Sequence, residues 1–96
     1  MESKIAILFK AFSDENRLKI LKLLLAGETC SCTLIDQLPI TQPTLSYHLK
    51  WLNKVGLTTS YKEGTQTKHK VNQDVLNDMI NFLVILRDTE VTSCSL

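Results

Sequence analysis

Thr41-Gln42-Pro43-Thr44-Leu45-Ser46-Tyr47-His48-Leu49-Lys50-Trp51-Leu52-Asn53-Lys54-Val55-Gly56 is the stretch whose two faces decide the fold. Thr41 suits an N-cap, Pro43 sits in a first turn where its missing N–H costs nothing, and Gly56 suits the left-handed position that ends a helix. At 3.6 residues per turn, Leu45, Leu49, Leu52 and Val55 share one side of that helix. Pro43, Ser46, Tyr47, Lys50, Asn53 and Lys54 share the other. The first side pins the helix to a core. The second holds hydroxyl, amide and ammonium groups, with no acid and no aliphatic residue. His48 and Trp51 fall on the border between the two.

Upstream, residues 30–38 suit a short helix, and Pro39-Ile40 makes a tight connection because Pro39 cannot continue it. Ile5, Leu8, Phe9 and Phe12 follow the i, i+3, i+4, i+7 rule and predict a helix over 3–12. Ser13 and Asp14 stop that helix and offer a cap to the next. In 16–26, Leu18, Ile20, Leu21, Leu23, Leu24 and Leu25 point most ways round the axis, which predicts a central helix buried on several sides. Gly27 supplies its stop.

Downstream, 57–62 and 67–72 are rich in β-branched and aromatic residues, and Glu63-Gly64-Thr65-Gln66 reads as the turn of a hairpin. Asn72 can cap a last helix from 73 to about 88, with 89–96 as a loose tail. The expected order is α-α-α-α-β-β-α in a single domain over 1–96, mainly α with one β-hairpin. Two short helices on a tight turn followed by a basic hairpin describe a winged helix-turn-helix.

The last helix carries more apolar surface than one core requires. Val75, Leu76, Met79, Ile80, Phe82, Leu83, Val84 and Leu86 cover roughly half its circumference, where a stripe of about 100° would serve. Ile7 and Ala11, on the back of the first helix, are left over in the same way. A 96-residue chain is too short to surround a helix completely. The surplus predicts a homodimer through the first and last helices.

Charge sharpens this. The net charge is only +1, yet Lys50, Lys54, Lys62, Lys68 and Lys70 face a single acid, Glu63, within 47–70. A chain that is neutral overall but basic over one contiguous segment carries a local electrostatic footprint suited to double-stranded DNA. On the fourth helix Gln42, Thr44, Ser46, Tyr47, His48, Lys50 and Lys54 are the candidate contacts, the N-terminal ones for base edges and the lysines for guanine or phosphate. In the hairpin, Lys62, Gln66 and Lys68 are candidate wing contacts. No apolar run approaches the roughly 20 residues of a membrane span, and no signal peptide is visible, so a cytoplasmic chain is expected. No nucleophile–base pair or phosphate-cradling glycine loop points to an enzyme.

The 3 cysteines do not suggest a disulfide framework, since the number is odd and a reducing compartment keeps thiols free. Cys30-Ser31-Cys32 opens the third helix, where a helix N-terminus favours the thiolate. Residues two apart on an α-helix lie about 200° apart, so convergence of the sulfurs on one ion would require local unwinding beneath the fourth helix. The spacing alone equally suits two small buried side chains. His69 and the acids show no ligand spacing to the pair, and the last helix has no histidine. Thiolates with few other donors favour soft ions, and folding is expected to need none.

The chain resembles the ArsR/SmtB family of bacterial winged-helix metal-sensing repressors over nearly its whole length. The resemblance is carried by Phe12-Ser13-Asp14-Glu15-Asn16-Arg17-Leu18-Lys19-Ile20-Leu21, by Gly27-Glu28-Thr29-Cys30-Ser31-Cys32-Thr33-Leu34, by Gln42-Pro43-Thr44-Leu45-Ser46-Tyr47-His48-Leu49, and by Leu52 and Gly56-Leu57. Cys-x-Cys at this place is similar to the arsenic- and antimony-responsive branch. That likeness implies As(III) or Sb(III) as inducer, bound by Cys30 and Cys32, and an operator released on binding. Some members have a third cysteine where this chain has Ile35, which leaves the third ligand to Cys94, to a small-molecule thiol, or to none. Cadmium/lead sensors add cysteines from an N-terminal extension, and no cysteine precedes Cys30 here. A thiol-redox repressor of the same fold and a winged-helix protein-interaction module are the remaining alternatives.

Overall fold

The computed structural model describes residues 3–90. Their order is α1 (Lys4–Ala11), α2 (Glu15–Leu25), α3 (Ser31–Leu34), α4 (Gln42–Lys54), β1 (Thr58–Glu63), β2 (Gln66–Val71) and α5 (Gln73–Asp88). Local chemistry sets the boundaries. Ser3, Asp14 and Asn72 cap α1, α2 and α5 through side-chain oxygens. Gly27 and Gly56, at φ +102° and +85°, turn the chain out of α2 and α4. Strands β1 and β2 pair antiparallel from Thr58↔Val71 to Glu63↔Gln66, so the loop is Gly64-Thr65, with φ +64° at Gly64.

Three expectations needed correction. The third helix does not run evenly over 30–38: α3 is one α turn, followed by a 3₁₀ turn at Ile35–Gln37. Helix α2 is buried on one face only, through Ile20, Leu21 and Leu24. Leu18 and Leu25 are exposed and line, with Phe12, Leu57, Val71 and Leu76, an apolar surface cavity of about 170 Å³. The surplus on α5 is also longitudinal as well as circumferential. Met79 is buried, but every residue from Ile80 to Glu90 is exposed, so beyond the contact between the Phe82 and Phe9 rings (5.9 Å) the second half of the helix overhangs the body of an elongated 57 × 25 × 23 Å molecule. Among the described residues no helix is long and apolar enough to cross a membrane.

One core joins all the elements, with Ile20, Leu34, Leu45, Leu52 and Leu57 fully buried at its centre. A polar tie fixes α1, α2 and α4 beside it. The Arg17 guanidinium donates to the carbonyls of Ala11 (3.0 Å) and Lys10 (3.3 Å) at the end of α1. It also lies 4.6 Å from the centre of the Trp51 ring on α4, where a cation on an aromatic face is favourable. Its Nη1 stands 3.4 Å from His48 Nδ1.

Asp14 completes the tie by accepting the backbone N–H groups of Asn16 (2.8 Å) and Arg17 (3.0 Å). The Arg17 N–H bond, reinforced by the positive charge nearby, holds the Asp14 carboxyl below its ordinary value of 3.8. A depressed carboxylate contributes stability that is present above the unfolded-state value and lost as pH falls through the lower folded-state value. Asp14→Ala is therefore expected to cost about 0.5–2 kcal/mol at neutral pH, the usual range for an N-cap. Thermal melts of the two proteins should converge as pH falls from 3.8 through the lower folded-state value; a constant gap across that range would show that Asp14 acts through something other than its charge.

Candidate functional site

The outward side of α4 presents Gln42, Pro43, Ser46, Tyr47, Lys50 and Lys54 to solvent, Tyr47 with 59% of its surface free. Nothing on the helix competes with a polyanion there, since α4 contains no acid. Thr44 is half-buried and accepts the Thr41 hydroxyl at 3.1 Å, so Thr41 occupies the cap position without its side chain capping a backbone N–H. Asn53, expected on the outward side, is half-buried and accepts a hydrogen bond from the Thr58 hydroxyl.

His48 does not share this face. Only 6% of it is exposed, and its ring sits between Arg17 and Asp14, with Nε2 4.0 Å from the Asp14 carboxylate. Arg17 has only N–H groups to offer, so Nδ1 accepts and Nε2 carries the proton that faces Asp14. The border position is resolved inward because α2 supplies polar partners that solvent would otherwise provide. Trp51, beneath Arg17, is likewise held by packing.

In the hairpin Lys62 is exposed on β1, while the other two candidate wing contacts have partners within the chain. The Lys68 ammonium pairs with Glu63 at 3.3 Å, and the Gln66 amide donates to the Cys32 sulfur at 3.9 Å. Strand β2 therefore runs beside the cysteines. Lys68 forms a backbone bridge with Cys30, and the His69 N–H donates to the Thr29 carbonyl at 2.9 Å.

The cysteine pair is built differently from the helical expectation. Cys30 is not in the helix: it is the N-cap of α3, with extended φ −92° and ψ 134°. The 200° separation does not apply, and the Cα atoms of Cys30 and Cys32 lie 5.2 Å apart with the two sulfurs joined to each other. Free thiols were expected; the structure holds the pair as a disulfide. The Cys30 sulfur also accepts the Cys32 N–H at 3.3 Å, so it serves as the cap of the helix it opens. Cys30 is buried and Cys32 exposed, which leaves one sulfur open to an incoming reagent. Cys94 and positions 91–96 of the expected tail lie outside the described residues, among which no group of 3 or more His, Cys, Asp or Glu is placed to hold a metal.

His69 and Arg17 were not singled out from the sequence. His69 is 7% exposed, and burial pushes its imidazole below the ordinary value of 6.5. A signal existed. Thr67, His69 and Val71 alternate along β2, the period of one strand face, and all three are less exposed than Gln66 and Lys70.

Comparison with known proteins agrees with this architecture. The family model "Bacterial regulatory protein, arsR family" matches residues 14–60. The arsenical resistance operon repressor of Staphylococcus aureus is 39% identical over 83 residues, covering 86% of this chain and 80% of the relative; other matching relatives are named for cadmium and for mercury resistance. Among solved structures, an ArsR-like transcriptional regulator from Rhodococcus sp. RHA1 superposes with a TM-score of 0.77 at 30% identity, over 86% of this chain and 76% of that one. The homodimeric winged helix-turn-helix DNA-binding domain of Mycobacterium bovis Mb0332 gives 0.71 at 27% identity, over 88% and 80%. With the matched segment running through the cysteine pair and the helix-turn-helix, this chain belongs to the arsR family of bacterial regulatory proteins, transcriptional regulators rather than enzymes.

Proposed function

We propose that the chain is a metalloid-responsive repressor, a cytoplasmic homodimer that holds a palindromic operator and releases it when As(III) or Sb(III) is bound by the reduced thiolates of Cys30 and Cys32. The observation that carries this reading is the side-by-side placement of the two cysteines, Cα atoms 5.2 Å apart, at the start of the helix that precedes the DNA-facing helix and lies against β2. Two sulfurs with, among the described residues, no carboxylate or imidazole grouped beside them form a soft donor set. A third sulfur would come from Cys94 or a small-molecule thiol. The arsenical resistance repressor similar to this chain supports the same inducer class.

The protein's part follows from the cap. Drawing both sulfurs toward one ion would re-aim the acceptors that the Cys32 N–H and the Gln66 amide now use. Both contacts fall where α3 meets β2, so the helix-turn-helix and the wing would shift together. A gel shift on the chain's own upstream DNA, with arsenite, antimonite, cadmium, zinc or peroxide added in turn, tests the reading. Release by arsenite and antimonite under reducing conditions supports it. The bond between the Cys30 and Cys32 sulfurs favours one second reading, a thiol-redox repressor, which predicts release by peroxide and indifference to arsenite.

On the DNA side, Gln42, Ser46, Tyr47, Lys50, Lys54 and Lys62 are the contacts this reading uses. Gln42→Ala and Tyr47→Ala are each expected to lose about 1–3 kcal/mol of operator affinity, as for a side chain that reads a base pair, and to leave random DNA unaffected. Equal losses on both duplexes would reduce the two residues to backbone positioning.

A further inference from the structure

Between the start of α3, the polar side of α4 and strand β2 lies a surface cavity of about 180 Å³, lined by Ser31, Ser46, Leu49, Lys50, Asn53 and His69. No acid lines it. Each polar side chain there can donate a hydrogen bond. Thr58 occupies Asn53 Oδ1, which leaves the amide N–H groups as the free end of that side chain. His69 is more than nine-tenths buried, and its Nδ1 has no hydrogen-bond partner. That nitrogen is itself sealed from solvent, so His69 meets the cavity through the rest of its ring.

We propose that this cavity seats one backbone phosphate of the DNA in each subunit, with Lys50 as the counter-charge and Ser31, Ser46, Asn53 and His69 as hydrogen-bond donors. The inference rests on the reading of this chain as a DNA-binding regulator. A tetrahedral oxyanion accepts at every oxygen, which suits a donor-rich, acid-free lining, whereas a base edge also presents donors of its own. The seat has a second property. Ser31 stands between Cys30 and Cys32, so a change in what the two sulfurs bind moves one of the phosphate donors directly. The cysteine pair and the DNA then meet at a single residue, without a relay through the body of α4.

The test is a scan of an operator duplex in which single phosphates are replaced, one at a time, by neutral methylphosphonates. Binding of the intact protein is read by fluorescence anisotropy for wild type, Ser31→Ala, His69→Leu and His69→Gln. One position in each half-site is expected to weaken wild type about tenfold or more, the scale of a lost hydrogen bond to a charged group. Ser31→Ala and His69→Leu should lose affinity on the unmodified duplex yet nothing further on that modified one. His69→Gln, which keeps an N–H donor, should lie nearer wild type. Thermal melts check each variant; if His69→Leu does not fold, Ser31→Ala and His69→Gln carry the comparison.

Losses that multiply at every position, or variants that lose nothing on any duplex, would overturn the seat. Inorganic phosphate supplies the other arm. Saturable amide shifts at Ser31 and His69 in millimolar phosphate, with no privileged position in the DNA scan, would assign the cavity to a free oxyanion and overturn its DNA role. Failure of wild type to bind any duplex would remove the DNA-binding reading and the seat together, an outcome distinct from tight binding with multiplying losses.

Discussion

Cys30→Ser and Cys32→Ser proteins are expected to bind operator as wild type does and to remain bound at arsenite concentrations that release the parent protein. The effect is large because each substitution removes half of the soft donor set. The whole inducer response, typically about 5–150-fold in affinity, should disappear. DNA affinity should hold because neither cysteine lies on the outward side of α4, and serine can keep the cap at position 30 through its hydroxyl. Cys94→Ser should still respond, at higher inducer concentration if Cys94 supplies the third sulfur. A titration of operator release against arsenite, run under reducing conditions, separates the cases. Full inducibility of both the Cys30 and Cys32 variants would end the metalloid reading and leave the redox one.

Leu83→Glu should convert the protein to a monomer. Leu83 is 51% exposed and Ile80 49%, on the part of α5 that overhangs the body. A carboxylate there costs the single chain little, but in a dimer it is an unpaired charge at an apolar contact, a penalty of several kcal/mol. Dimerisation should weaken by at least about 100-fold, which a few kcal/mol implies. Operator affinity should fall with it, because a two-fold dimer engages half-sites about 34–36 Å apart and a monomer only one. Sedimentation at micromolar concentration, with circular dichroism to confirm that the chain remains folded, measures both. A dimer that survives Leu83→Glu would place the interface elsewhere, and a monomeric wild type that still binds operator tightly would remove the dimer from the proposal.

The element order was legible because helix stops, caps and apolar spacing agree along this chain. Gly27, Gly56, Asp14 and Asn72 mark boundaries that the structure places within a residue or two. What escaped the sequence depends on contacts between distant residues. The inward turn of His48 follows from Asp14 and Arg17, which sit on another helix. The pairing of β2 with Cys30 joins positions far apart in the chain, and no local pattern announces it. The cysteine geometry was missed for a sharper reason: a wheel assumes that both residues are helical, and Cys30 is the residue just before the helix. The lysines and hydroxyls of α4 were readable because amphipathicity is local. The roles of Lys68 and Gln66 were not, because their partners, Glu63 and Cys32, lie on other segments.

Helix α3 is only Ser31–Leu34, and its ladder begins with the Thr33 and Leu34 N–H groups both returning to the Cys30 carbonyl at 3.0 Å. A helix this short has no stability of its own; nucleation is unfavourable and propagation too brief to repay it. Its order is lent by Leu34 in the core, by the cysteine cap and by β2 alongside. Such a segment keeps its shape through contacts with the rest of the fold and not through its own ladder. The cysteines thus sit on a turn whose shape is set by its neighbours, and a ligand that re-aims the sulfurs competes with that cap and that strand contact, not with a long helical ladder.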